Sequence, residues 1–229
     1  MTNILVGMLP RRVFHLFGCG LLLLIMVAGF GGEAKGQCLQ GAANVSRIMK
    51  TTGDPRLDTL LNQEGNLIYS VFGVNPNMFL FDDGEAPNAF ASPTSTLNGY
   101  TGTVYLGTGL LRTELWSMNK GGFAVAGVMA HEFAHILQIA MQSRLPGKLR
   151  ELHADFMAGY YLARKSYIAP TNIRAFAQSL FEKGDYDFWS PSHHGTPQER
   201  VGAMLAGYRS GNLAVRDAYY TGERWLTGR

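Results

Sequence analysis

The sequence predicts an α+β domain, a small sheet accompanied by a helix-rich remainder, and three observations predict it. Short β-prone runs separated by Asp, Gly, Ser and Asn lie between residues 78 and 106. Apolar residues recur at helical spacing over longer, largely breaker-free stretches between residues 109 and 208. No internal repeat or low-complexity tract interrupts either pattern. With 229 residues, 46% apolar and 16% charged, the chain is globular in composition and long enough for one medium domain with a sizeable core.

Residues 1–36 read as a targeting segment. Arg11 and Arg12 precede an apolar run from Val13 to Phe30, with Leu21–Leu24 at its centre and small residues (Gly31, Gly32, Ala34, Gly36) after it. That is the order of a secretory signal peptide, with Ala34 and Gly36 placed for a cut between Gly36 and Gln37. The competing reading is an uncleaved anchor, which would associate the protein with a membrane through residues 13–30, because the run is nearly long enough to span a bilayer. Either way the expectation is an exported protein, in the bacterial periplasm or outside the cell, with residues 37–229 forming a single domain. Leu16-Phe17-Gly18-Cys19 looks like a lipoprotein box, but the apolar run continues past Cys19, which argues against lipidation there. Beyond the segment only Cys38 remains, so neither an intrachain disulfide nor a thiolate metal site is available. Removing residues 1–36 takes away Arg11, Arg12, Lys35 and Glu33 and lowers the formal charge from +3 to +1. No Lys/Arg run interleaved with aromatics appears, which argues against nucleic acid as a partner.

The elements follow in order. A helix is expected over Ala42–Lys50. A second starts at Asp54-Pro55, where Asp caps and Pro takes the first helical position. Leu57, Leu60, Leu61, Leu67, Ile68 and Val71 then recur at roughly helical spacing. Met78–Phe81, Ala89–Ala91 and Thr103–Leu106 are strand candidates, the last two separated by a Ser/Thr/Asn/Gly loop from Ser92 to Gly102. Further helices are expected over Gly109–Met118, Phe123–Gln142, Leu149–Lys165, Thr171–Lys183 and Thr196–Tyr208, with Pro146-Gly147 as a break.

His131-Glu132-Phe133-Ala134-His135 falls inside a run with no helix breaker after Gly127. The two histidines are i and i+4, so on a helix they share a face and both imidazoles reach one ion, the spacing of the H-E-x-x-H zinc motif. Glu132 sits beside the first histidine, where it can take a proton from a water activated at that ion. Apolar flanks, Gly127–Ala130 and Ile136-Leu137, argue against two solvated surface histidines. A third ligand is expected from Glu151-Leu152-His153-Ala154-Asp155, on a helix that the short loop at Pro146-Gly147 folds back against the first. Glu151 and Asp155 are i and i+4 in a largely apolar helix, so one carboxylate can ligate zinc while the other accepts from a ligating imidazole. His153 is an alternative ligand, but its i+2 offset from Glu151 points it off that face and makes it a polar neighbour.

These blocks resemble the gluzincin metallopeptidases of the CAAX-prenyl-protease and heat-shock membrane-protease family, and still more the bacterial neutral zinc metallopeptidases. His131-Glu132-x-x-His135 resembles their zinc and base motif, and Glu151-x-x-Ala154-Asp155 their E-x-x-A-D. The resemblance implies one Zn²⁺ held by His131, His135 and Glu151, with Asp155 supporting a ligand. Pro87-Asn88-Ala89-Phe90-Ala91 and Thr103–Leu111 are similar to the family's substrate-binding strand and the tail of its edge strand. They imply that Asn88, Ala89 and Tyr105 meet a polypeptide substrate by strand addition. His194-Gly195-Thr196-Pro197-Gln198-Glu199-Arg200 resembles the family's H-P-x-x-x-x-R segment and implies that His194 stabilises an oxyanion and Arg200 supports the site. Gly195 departs from the proline of many relatives, and the multiple membrane spans of the membrane proteases are missing, so a prenylated membrane protein is not the expected substrate. The likeness runs from about Pro87 to Tyr208 in the family's order and implies a helix-rich, zincin-like metallopeptidase domain whose active-site helix carries His131 and His135.

The expectation is therefore a zinc metallopeptidase, acting as an endopeptidase on exported or envelope proteins, with Glu132 as base and His194 as oxyanion donor. Two rivals remain: a non-proteolytic, zinc-containing envelope chaperone or assembly factor, and an anchored interaction protein with purely structural zinc. An intact Glu132 argues against the first, and a set of three assignable ligands where structural zinc takes four argues against the second. His193, Tyr186 and Trp189 read as loop residues with no assigned chemistry.

Overall fold

Asp54 and Pro55 open the first helix, α1 (Pro55–Phe72), as their chemistry dictates. Asp54 Oδ1 accepts the backbone N–H of Arg56 at 2.8 Å, and Pro55 sets a helical φ where no N–H is needed. The helix ends on Gly73 in the left-handed conformation, φ 72°. Leu61, Ile68 and Phe72 form its buried stripe. The computed structural model describes residues 47–84, 87–95, 97–116, 122–165, 170–183 and 194–228. The targeting segment, Cys38, Tyr186, Trp189 and His193 lie outside the described residues, as do the greater part of the expected helix over Ala42–Lys50 and the end of that over Gly109–Met118.

Among the described residues four short strands, β1 (Ile48–Met49), β2 (Asn77–Phe81), β3 (Ala89–Ser92) and β4 (Thr103–Gly107), form one mixed sheet in the order β1-β2-β4-β3. β2 runs parallel to β4, and the other two pairings are antiparallel. Ile48 and Met49, expected to lie in a helix, instead pair with Phe81 and Leu80. A nine-residue helix is marginal alone, and bonding to a sheet edge outcompetes it. β4 is flanked on both sides, by β2 and β3, so Tyr105 cannot offer the free edge expected of it. Its ring stacks on Phe90, 4.6 Å between centroids, in a separate aromatic cluster with Phe81 and Phe79. Among the described residues β3 is the last strand on that side, and its Ala89, Phe90 and Ala91 are buried. The Gly107 N–H donates to Asn88 O at 2.9 Å, which makes 88/107 a hydrogen-bonded pair and 89/106 the intervening one. The backbone groups of Ala89 and Ala91 therefore face away from β4.

Among the described residues six further helices follow: α2 (Thr108–Trp116), α3 (Phe123–Ala140), α4 (Gly147–Arg164), α5 (Pro170–Lys183), α6 (Pro197–Arg209) and α7 (Val215–Thr227). Together with the small sheet they make an α+β fold in which helix predominates. α3 is apolar around nearly its whole circumference, which is the composition of a central helix. It packs against α4, α5, β3 and α1, with Met129, Phe133 and Ile136 meeting Leu80, Val104 and Leu106 from the sheet in one core. α4 and α6 cross at backbone contact. A Cβ at Gly159 would lie 2.0 Å from Met204 O, and one at Gly207 only 1.7 Å from Phe156 O. This crossing, α3 against α4 and α4 against α6, carries the candidate site.

Candidate metal centre

The i,i+4 spacing on α3 does what it must: His131 and His135 lie on one face, with their Nε2 atoms 3.1 Å apart. The turn at residues 141–146 folds α4 back along α3 and brings Glu151 to them. Glu151 Oε2 lies 3.4 Å from His131 Nε2 and 3.4 Å from His135 Nε2. All three side chains are buried.

The far side of each imidazole fixes its tautomer. His131 Nδ1 donates to Asp155 Oδ1 at 2.8 Å, and His135 Nδ1 donates to Gln138 Oε1 at 2.9 Å. With both Nδ1 protons committed, both Nε2 lone pairs point into the triangle, joined there by a carboxylate oxygen. Glu151 Oε2 is itself buried without an aligned hydrogen bond. Left without a proton or an ion, three acceptors this close repel one another, and a cation resolves the conflict as a proton on His131 also does. A tetrahedral ion with bonds of about 2.0–2.1 Å separates its donors by about 3.3 Å, which fits the 3.1–3.4 Å sides of this triangle. The group can hold a metal ion.

Electrostatics agree. Burial alone would lower His131, yet the charge and hydrogen bond of Asp155, with Glu151 and Glu132, push it up to about 10. The cage thus draws positive charge strongly. Glu151 is costly to bury, but the imidazoles of His135, His131 and His194 hold its carboxyl well below the usual range. Glu132, buried on the same helix, is pushed up by desolvation against the pull of His131 and His135.

Asp155 joins the site to α6. Burial works against its charge, but Arg200 and His131 lower it. Arg200 donates from Nε to Asp155 Oδ2 at 2.8 Å and from Nη2 to Oδ1 at 2.9 Å, the bidentate fork of a guanidinium on a carboxylate. α6 is held in place by a capping box, Glu199 N–H to Thr196 Oγ1 and Thr196 N–H to Glu199 Oε2, with Pro197 at the first helical position. The residues before that cap carry His194 into the centre, Nδ1 at 3.2 Å from Glu151 Oε2. Gly195 makes the approach possible. Its φ of +103° is closed to proline, and a Cβ there would lie 2.8 Å from Leu152 Cδ2.

The structure therefore gathers His131, Glu132, His135, Glu151, Asp155, His194 and Arg200 around one point. Asn88 and Ala89 lie at the start of the outermost described strand, where Ala89 is buried and β3 packs on α3, while Tyr105 is enclosed within the sheet. His153 points away from the triangle and donates from Nε2 to Tyr219 O at 2.9 Å. Sequence reasoning missed Gln138 and the whole of α7. Gln138 follows His135 by three residues, a spacing that puts it in reach of the ring and was available as a signal. Comparison of the chain with protein-family models, curated proteins and solved structures yields no match.

Proposed function

We propose that the protein is a zinc-dependent metallopeptidase, and the observation that carries this reading is the convergence of His131 Nε2, His135 Nε2 and Glu151 Oε2 with Glu132 on the same buried helix. Two imidazoles and one carboxylate are a borderline donor set that suits zinc, and three protein ligands leave a position for substrate. The ion, when bound, supplies Lewis acidity that polarises a carbonyl oxygen and acidifies a water. Glu132 takes the proton from that water and passes it to the leaving amine. Burial raises its pKa, the direction that suits a proton acceptor. His194 donates to the oxyanion that develops on the scissile carbonyl. Asp155, held by Arg200, keeps His131 in the ligating tautomer.

The backbone groups of Ala89 and Ala91, turned away from β4 but buried, would take an extended polypeptide as an added strand once that edge is uncovered, a mode that suits internal cleavage of peptide chains. Asn88 has its backbone committed inward, N–H to Asp83 Oδ2 and carbonyl to Gly107 N–H, so it meets a substrate through its side chain. The charged and apolar order of residues 1–36 favours an exported protein acting on exported or envelope polypeptides.

The test compares the purified chain and its Glu132→Gln variant, each loaded with one equivalent of zinc, on unfolded casein. Fragments from the wild type and a rate lower by about 100- to 10,000-fold in the variant are expected. Zinc bound at one equivalent with no fragments from either protein would move the reading to a zinc-containing chaperone. No zinc binding would remove it altogether.

A further inference from the structure

We infer that Gln138 and His153 are positioning residues for His135, the middle links of a hydrogen-bonded chain whose direction is set by main-chain carbonyls on α4 and α7. The inference rests on reading His135 as a metal ligand. His135 coordinates through Nε2 only if its proton is on Nδ1, and that requires an acceptor at Nδ1. The group found there is a side-chain amide, which can present either an oxygen or an NH₂. A flipped Gln138 would put a donor against Nδ1, drive the proton to Nε2 and close the ligand position.

Two carbonyls prevent the flip. Gln138 Nε2 donates to Arg150 O at 2.8 Å, and a carbonyl accepts only, so the NH₂ must face it. The second hydrogen of the same NH₂ points at His153 Nδ1, 3.1 Å away. That nitrogen is an acceptor because the other ring nitrogen of His153, Nε2, donates to Tyr219 O at 2.9 Å, again an acceptor only. Every role is then determined from the outer end inward: the Tyr219 carbonyl fixes the tautomer of His153, His153 and the Arg150 carbonyl fix the orientation of Gln138, and Gln138 fixes the tautomer of His135. Gln138 and His153 are both fully enclosed, 2% and 0% exposed, so no water substitutes for a missing link.

The packing around His153 has the form of a built socket. The Tyr219 ring meets His153 edge-on at 4.6 Å, and Phe156 lies parallel at 6.3 Å. Gly222, one turn further along α7, lies so close that a Cβ there would be 3.0 Å from His153 Nε2. A glycine inside a helix is disfavoured relative to alanine, and here it leaves room for the imidazole beneath it. α7 thereby becomes part of the metal site without supplying a ligand.

The test is the zinc dissociation constant, read by competition with a chromogenic chelator, for the full chain and for Gln138→Met, His153→Leu and His153→Gln. Thermal unfolding of each protein in excess chelator is measured alongside. Gln138→Met and His153→Leu are expected to bind zinc about 10- to 100-fold more weakly. His153→Gln, whose amide presents an acceptor and a donor in place of the two ring nitrogens, is expected to recover most of that loss. Zinc affinities of Gln138→Met and His153→Leu within about twofold of the wild type, whatever their unfolding temperatures, would overturn the positioning role and leave the metal centre standing. His153→Gln no better than His153→Leu would overturn it as well, and that pair decides the matter if Gln138→Met does not fold. A wild-type chain that binds no zinc would instead refute the metal centre.

Discussion

Two alanine substitutions on one helix should change stability in opposite directions. In α6, Gly202 has nothing within 4 Å of the position a Cβ would take, whereas at Gly207 that position lies 1.7 Å from Phe156 O on α4. Intrinsic helix propensity favours alanine by about 1 kcal/mol at either site. At Gly202 that gain stands alone, and a gain of this size raises Tm by about 2–4 °C in a chain of this length. At Gly207 the obstacle is a backbone carbonyl, so relief means parting α4 from α6 by about 1.5 Å before a carbon meets an oxygen at ordinary contact. Overpacking of this kind costs about 1–3 kcal/mol, and a clash against backbone falls at the upper end. The net expectation is a Tm lower by about 4–8 °C. The same separation pulls Arg200, on α6, from Asp155, on α4, now joined at 2.8 and 2.9 Å. Gly207→Ala should therefore also weaken zinc binding, while Gly202→Ala should not. Scanning fluorimetry and chelator competition on the two variants measure both effects. A Tm for Gly207→Ala equal to or above the wild type would refute the argument that this crossing fixes the site.

Two more outcomes follow from the same geometry. Asp155→Asn breaks the buried ion pair with Arg200, and breaking such a pair costs about 3–5 kcal/mol, so denaturant titration should show a large loss of stability even with zinc removed. His153 is held down to about 4 by burial, against 6.5 when exposed, so the unfolded chain binds the extra proton between those values. Stability should then fall as pH drops from 6.5 toward 4, by about 2 kcal/mol at pH 5 from this group. In excess chelator, the difference between wild type and His153→Gln across that range isolates it, and parallel stability curves would show that His153 is not responsible.

Much of the site was legible because its chemistry is local. An i,i+4 pair of histidines and an i,i+4 pair of carboxylates each define a helix face, and one short loop brings the two faces together. The capping pattern of Thr196 and Glu199 likewise marked the start of α6 and hence the place of His194. What escaped was set by tertiary packing. Ile48-Met49 looks helical in isolation and becomes a strand only because β2 offers it an edge. Tyr105 sits in a run that reads as an edge strand until β2 and β3 close on both sides of it. α7 carries Ala218, Tyr219 and Gly222 inward at helical spacing, but the polar residues between them hid a pattern whose meaning depends on His153 beneath it.

The two histidines are supported differently, and charge explains why. His131 leans on a carboxylate that Arg200 neutralises, whereas His135 leans on an amide. Ionised, Glu132, Glu151 and Asp155 oppose Arg200, the one buried Lys or Arg among the described residues, and leave two negative charges in an interior that excludes water. Burying net charge is costly, so the centre either draws protons, as the raised His131 shows, or takes up one divalent ion and reaches neutrality. A carboxylate at position 138 would polarise His135 more strongly, yet it would leave the loaded centre one charge short and set an acceptor against the Arg150 carbonyl. An amide oriented by two main-chain carbonyls holds the imidazole without adding charge. Neutrality of the loaded site thus selects a glutamine at that position and makes the outer chain through His153 and α7 necessary, since an amide, unlike a carboxylate, must be told which way to face.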